Sequence, residues 1–506
     1  MKKGIVIGGG VAGLAAAIRL AAYGYEIHLM EKQASLGGRC QSFQLGRYFF
    51  DGEFMPILMP EVFDRVFWEA GQVLDPELRF IPLPVNSRHF FYNKTVIDLS
   101  ADPDYMMEQL SVFSPEDQAG FFDYLSEVGR MYEVIEEYVV DKPNHCWTDF
   151  FRNRKLWTYL SAHPFETLDS FHRRYFRDNR LLAMMNRYAL YMGSSPYQAP
   201  AALAIFSYLE MVHGISYVEG GHQRLTGALE RLACQTGVTI HTSCEVEEIL
   251  LKEDRVVGVR ANGEKLEADF VISNLDVKRT QETLLARKTG QETLSSSGFL
   301  WLIGVKCLFP QLLHHNYFYP DDTARQYIDI FEQQVWPESP LIHVGNSSLS
   351  EPDRAPEGAS NLSVMVHVPA GQAENMETYR ERLLFLLEKV WGLKGLEENI
   401  ETEQMMGPAE FEEMTGAEGG AFNGRAFRGF RSFIRPPMRD KKVNRLYYTG
   451  STTYPGHGGI STSALSGLHV ARIIREDHEH MLAIEAKRAE KEAKKRARHH
   501  ERENGS

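Results

Sequence analysis

Gly8, Gly10 and Gly13 stand in G-x-G-x-x-G spacing between an apolar run at residues 4–7 and an Ala/Leu-rich run that begins at Val11. A second apolar run, residues 25–30, ends at the acid Glu31, with Lys32 behind it. Residues in this order can bind an adenine dinucleotide. Gly8 permits a tight turn, Gly10 lets the backbone approach a pyrophosphate with Gly9 beside it, and Gly13 lets a helix pack on a strand. The first helical turn, Val11 and Ala12, brings backbone N–H groups and the positive end of a helix to the phosphates. Glu31 can accept from ribose hydroxyls, and its charge disfavours a 2′-phosphate.

Other chemistry-bearing residues are less ordered. His457 lies in a glycine turn, Pro455-Gly456-His457-Gly458-Gly459, and is the one candidate for moving protons at the site; a turn histidine can equally do no more than satisfy a carbonyl. His314 and His315 are adjacent, so on a strand they are expected to point in opposite directions, and no third ligand accompanies them for a metal. Ser194-Ser195 and Ser295 to Ser297 lack the strand–turn–helix context of a nucleophile elbow. Five cysteines are scattered without a C-x-x-C, which reads as reduced thiols and not as a disulfide frame.

The pattern around these residues gives the elements that must position them. Strands are expected at residues 4–7, 25–30, 48–50, 80–83, 89–92 and 96–99, and helices at 11–22 and 61–70. From about residue 104 to 214 the spacing is helical and rich in Met, Phe and Tyr, which reads as core packing or as the lining of an apolar tunnel. A helix follows at 223–236, then strands at 238–241, 245–252, 256–261 and 268–273. A second sheet is expected from 300–309, 326–331, 340–344 and 361–368, with a helix at 376–390. The chain then offers a strand at 446–448 entering Gly450, and a helix at 460–474. Lys2-Lys3 before an Ala-rich run imitates a secretory signal, but the fingerprint glycines and Arg19 argue for the nucleotide-binding unit instead.

The 506 residues suffice for two or three domains, and no apolar stretch reaches the length of a membrane-spanning helix. Net charge is −13, which argues against nucleic-acid binding by the body. Residues 487–498 carry seven Lys and Arg against two Glu, a local +5. They form either a solvated charged helix or an electrostatic attachment to anionic lipid headgroups.

These landmarks together resemble the bacterial carotenoid desaturase and oxygenase family, a branch of the amine-oxidase-like flavoproteins. The residues that carry the resemblance are Gly8 to Gly13, Gly37-Gly38-Arg39, Tyr217-Val218-Glu219-Gly220-Gly221, Ser273 to Asp276, and the stretch 446–467 with its Pro455-Gly456-x-Gly step. Within the family the likeness is greatest to the C30 diapocarotenoid enzymes of the diaponeurosporene oxygenase type. It rests on the stretches YMGSSPYQAP at 191–200, GVTIHT at 237–242 and PQLLHHN at 310–316. Two positions depart from the family pattern: Gly52-Glu53 where a Gly-Pro is common, and Gly459-Ile460-Ser461 where many members have a further proline.

The resemblance implies an α/β fold: a discontinuous, Rossmann-like FAD domain of the two-dinucleotide-binding type (residues 1–80, 215–290 and 432–475). It also implies a mixed β-sheet substrate domain (81–214 and 291–431) carrying a membrane-facing helical insert at about 104–214, then a charged basic tail (476–506). It implies FAD, with Gly38, Arg39, Val246, Gly450, Gly459 and Ile460 joining Gly8 to Gly13, Glu31 and Lys32 at the cofactor. The implied substrate is a long apolar carotenoid, oxidised at a terminal methyl or else desaturated along the polyene. The implied setting is the cytoplasm, peripheral on the inner face of the cell membrane. An amine-oxidase-like flavin oxidase and a flavin-binding scaffold without turnover are the readings from other classes.

Overall fold

The computed structural model describes residues 2–52, 56–136, 163, 165–290, 292–426, 428–429, 435–454 and 459–503. His457 with its neighbours Pro455, Gly456 and Gly458, as well as Glu53 and Cys146, lie outside the described residues.

A five-stranded parallel sheet holds the fingerprint, in the order Leu446–Tyr448, Phe270–Ser273, Lys3–Ile7, Glu26–Met30, Thr239–His241. Its central strand is buried from Gly4 to Ile7, as expected of a parallel strand covered on both faces. Helices Val11–Ala22 and His222–Gln235 cover the sheet together with a long C-terminal helix, Ile460–Glu503. The first and last of these meet without intervening side chains: a Cβ on Gly467 would lie 2.3 Å from the Ala12 carbonyl oxygen. An antiparallel sheet of three strands, Val246–Lys252, Arg255–Ala261 and Glu264–Glu267, flanks this layer.

A mixed sheet of seven strands forms the second body, in the order Ile400–Met406, Ser297–Val305, Ser360–Val368, Ile342–Asn346, His315–Tyr319, Ser87–Phe91, Val96–Leu99. One face, with Phe318, Ile342, Val344 and Val364, packs on the helix Met376–Phe385 and the turn after it. The other face carries Tyr317 and Tyr319 toward the helical insert. Within the insert Met106, Phe121, Tyr124, Met184, Met185, Tyr188, Tyr191, Phe206 and Met211 are buried. Among the described residues of the insert, most Met and aromatic side chains are therefore buried. Met107, Val112, Phe122 and Phe165 are exposed.

Several expectations are corrected. Residues 326–331 are not a strand but helix, Arg325–Ile328 followed by the wider turn Asp329–Gln333. Asp322 accepts from the backbone N–H of Ala324 and Arg325, Arg325 pairs with Asp329 one turn on at 2.8 Å, and Tyr327, Ile330 and Phe331 are buried at helical spacing. The strand His315–Tyr319 takes the sheet position instead, and Ile400–Met406 supplies an unexpected edge. The C-terminal helix does not stop near residue 474; no Gly or Pro falls between residue 474 and Glu503. Asp477 anchors its extension by bonds from Arg439 and Tyr447, and His478 Nδ1 lies 2.9 Å from Tyr25 Oη. His314 and His315 do not diverge: His314 lies just before its strand, and the two rings are 4.6 Å apart.

Candidate cofactor pocket

The ends of Lys3–Ile7, Glu26–Met30, Phe270–Ser273 and Leu446–Tyr448 open into one elongated pocket of about 190 Å³. Gly8, Gly10, Val11, Ala12, Glu31, Lys32, Gly38, Arg39, Val246, Gly450, Gly459 and Ile460 line it. Residues more than 400 positions apart in the chain are thus brought to one cavity. Gly9 and Gly13 do not line it. The Gly9 N–H is used inside the fold, donating to Glu31 Oε2 at 2.7 Å, and Gly13 packs against the Gly8 carbonyl.

Local chemistry explains the shape. Gly8 turns with φ +95°, donating its N–H to Met30 at 2.8 Å. Asn274 reaches back to the Gly8 carbonyl through Nδ2 at 3.3 Å, so the ends of Lys3–Ile7 and Phe270–Ser273 are tied together. Gly450 repeats the device: its φ is +103°, its N–H donates to Ser466 Oγ at 3.0 Å, and a Cβ there would lie 2.7 Å from Asn274 Oδ1. Two helix N-termini, at Val11 and Ile460, end in the pocket, and neither has an acid in its first turn. Their first-turn N–H groups suit the phosphates of a dinucleotide.

Glu31 closes the other end. Both carboxylate oxygens are held by backbone N–H groups, Gly9 on Oε2 at 2.7 Å and Gln33 on Oε1 at 2.8 Å. Each oxygen keeps a lone pair for a ribose hydroxyl. Val246 lies beside Cys244 and Glu245 on this side. Lys32 Nζ donates to the Glu413 carbonyl at 2.7 Å, and Arg39 Nη1 to the Phe422 carbonyl at 2.8 Å. Both therefore clamp the second body onto the rim. Phe411, Met414, Thr415 and Phe422 form that rim and were not expected, since their segment carries no motif. Asn274, Thr449 and Thr452 were also missed as individuals, although Ser273 to Asp276 stood out as a group. Among the described residues no group of three His, Cys, Asp or Glu is placed to hold a metal.

Residues 11–475 match the family described as flavin containing amine oxidoreductase. Comparison with curated proteins sharpens this. The chain is 32% identical over 494 residues to a 4,4'-diaponeurosporene oxygenase of Staphylococcus haemolyticus, covering 93% of this chain and 96% of that one. It is 31% identical over 478 residues to a 4,4'-diapolycopene oxygenase of Methylomonas sp, covering 92% and 96%. The chain belongs to the flavin containing amine oxidoreductases and, within them, to the carotenoid desaturase and oxygenase family; it is a flavin-dependent oxidoreductase. The fold agrees. An oxidoreductase from Methanosarcina mazei superposes with a TM-score of 0.65 at 18% identity, covering 93% of this chain and 100% of that one. Cyclohexylamine oxidase from Brevibacterium oxydans does so with 0.62 at 13%, covering 94% and 99%.

Proposed function

We propose that this protein binds FAD and oxidises the terminal methyl of a C30 diapocarotenoid such as diaponeurosporene to the alcohol and aldehyde. The observation that carries the substrate is the likeness along nearly the whole chain to two oxygenases named for C30 carotenoids. Support for FAD over a flavin mononucleotide comes from the pocket. Two helix N-termini face a pyrophosphate position, and Glu31 has free lone pairs for a ribose beyond it. The bound flavin would supply two-electron redox chemistry, and dioxygen would supply the oxygen atom that the step from methyl to alcohol inserts. The chain's own part is to hold the dinucleotide, present the end of an apolar chain to it and keep bulk water out.

Pigment analysis tests the reading. A bacterial host making diaponeurosporene is compared with and without this chain, by chromatography and mass. Gain of oxygen at a terminal methyl is the expected result. Loss of two hydrogens without oxygen makes the chain a desaturase, and unchanged pigment in cells holding yellow protein overturns the carotenoid reading.

An apolar substrate of this length dissolves in membrane, so the protein must reach the bilayer from the cytoplasmic side. No described helix is long and apolar enough to cross a membrane. The contact we propose is peripheral. Lys487, Arg488, Lys491 and Lys494 stand exposed on the C-terminal helix past its last packed turn, and Met107, Val112, Phe122 and Phe165 are exposed on the insert. Because Asp477 and His478 are built into the body, the informative truncation removes residues after Glu485 and not after Arg475. That variant is expected to keep its flavin and to lose most of its flotation with liposomes rich in anionic lipid, an effect that 0.5 M salt reproduces in the full chain. Flotation unchanged by the truncation leaves the tail as a solvated helix.

A further inference from the structure

On the sheet side of the loop that leads to Leu58, a second, small cavity of about 40 Å³ is lined by Ile57, His222, His314, His315, Asn346 and Ser363. Two of these residues present buried polar atoms with no hydrogen-bond partner among the described residues, Nδ1 of His222 and Nδ2 of Asn346. Both residues are more than nine-tenths buried. Unsatisfied groups of this kind in a polar cavity call for a ligand. Each buried water needs about 10–15 Å³ of such space and two to four polar partners, so the cavity has room for roughly two to four.

The histidines on either side form an ordered row. His315 Nδ1 lies 3.2 Å from His343 Nε2, and the His343 ring stacks on Tyr317 at 4.4 Å, on the sheet face that meets the insert. On the outer side the His314 ring is 4.6 Å from that of His315, and its Nδ1 lies 2.7 Å from Ser350 Oγ, a half-buried hydroxyl near the surface. Toward the cofactor, Leu58, next to Ile57, accepts from Ser461 in the first turn of the C-terminal helix.

We propose that this cavity holds ordered waters which, with His343, His315, His314 and Ser350, conduct a proton from the insert-facing side of the sheet to solvent. The need for it follows from the function proposed above, on which this inference rests. In the step from alcohol to aldehyde one O–H and one C–H bond break and a C=O forms. The C–H hydrogen leaves with its electron pair to the flavin, and the O–H hydrogen leaves as a proton that an apolar site must export. A neutral imidazole accepts at one ring nitrogen and donates from the other, so it relays a proton and ends neutral. Burial keeps these rings neutral: it pushes His314 down to about 4, His343 to about 3 and His315 well below its ordinary value. The charged groups around the row are already engaged. Asp51 pairs with Arg354 at 3.1 Å, Glu351 accepts from Tyr217 at 2.9 Å, and Arg187 beyond His343 pairs with Glu210 at 2.7 Å.

Two measurements decide it. A crystal structure at high resolution, which needs no substrate, is expected to show waters bonded to His222 Nδ1 and Asn346 Nδ2; a dry cavity overturns the proposal. His315→Gln, which keeps a polar side chain but lacks two relaying nitrogens, and His314→Ala are expected to slow aldehyde formation from the diapocarotenoid alcohol by about tenfold or more. Flavin content and KM should stay unchanged, and imidazole in the medium should restore His314→Ala. Rates within twofold of the parent in both variants, at full flavin content, also overturn it. If the parent does not oxidise the alcohol, the proposed function fails instead, and the waters decide the cavity on their own.

Discussion

Replacing Gly13 by alanine is expected to yield colourless protein, with flavin affinity reduced by about 100-fold, or about 2.7 kcal/mol. The added Cβ would lie 2.1 Å from the Gly8 carbonyl oxygen and 3.1 Å from Asn274 Nδ2. Neither neighbour can rotate away. The Gly8 oxygen belongs to the turn that shapes the pocket, and Asn274 Nδ2 is the group that ties that turn to Phe270–Ser273. Relief must come from moving the N-terminus of Val11–Ala22 off the strand ends, which carries its pocket-lining first turn with it. The matched control is Gly227→Ala, inside helix His222–Gln235. Its Cβ would meet nothing nearer than Arg231 Nη1 at 3.6 Å, so the substitution is expected to leave the flavin bound and to stabilise by up to about 1 kcal/mol. Absorbance at the flavin band after gel filtration reads both variants. Full flavin in Gly13→Ala would show that the helix does not hold the cofactor by this approach.

The contrast between Gly13 and Gly9 marks how far the sequence could be read. Spacing alone places Gly8, Gly10, Gly13 and Glu31 in a dinucleotide unit, because strand, turn, helix and acid follow in local order. It gives no sign that Gly9 spends its N–H on Glu31, since that bond depends on the register of two neighbouring strands. The same limit hides the rim. Phe411 and Phe422 reach the pocket only because the seven-stranded sheet docks there, and their segment has no periodic signature of its own. Residues 326–331 mislead for a local reason. Gln-Tyr-Ile-Asp-Ile-Phe has strand composition, and a cap at Asp322 with an ion pair at Arg325 overrides it. His314 and His315 mislead in the opposite way, since the alternation rule holds only inside a strand and this strand starts between them.

Long-range polar networks are least legible of all, and one of them fixes the insert. Arg187 and Glu210 are 1% exposed, 23 residues apart in a segment that reads as apolar helix. Arg187 Nη2 lies 2.7 Å from Glu210 Oε1, and Arg187 Nη1 donates to Tyr191 Oη at 2.9 Å. Tyr191 Oη in turn donates to Glu210 Oε2 at 3.0 Å. Ser87 Oγ, from the sheet, adds a bond to Glu210 Oε1 at 3.3 Å, and the guanidinium stacks 4.6 Å over Tyr317. The network therefore bolts insert to sheet. Desolvation works against the Arg187 charge, but Glu210 and the surrounding tyrosines outweigh it and hold the guanidinium well above its ordinary value. Glu210→Gln leaves that charge buried and uncompensated, which is expected to cost about 3–5 kcal/mol in urea unfolding followed by fluorescence. The double variant Arg187→Met/Glu210→Leu removes both charges at similar volume and is expected to recover most of the loss. Its activity should nonetheless fall, because the side chains that orient Tyr191 and Tyr317 are gone. A loss below about 1 kcal/mol for Glu210→Gln would mean that water reaches Arg187, and that the insert is held to the sheet by apolar packing alone.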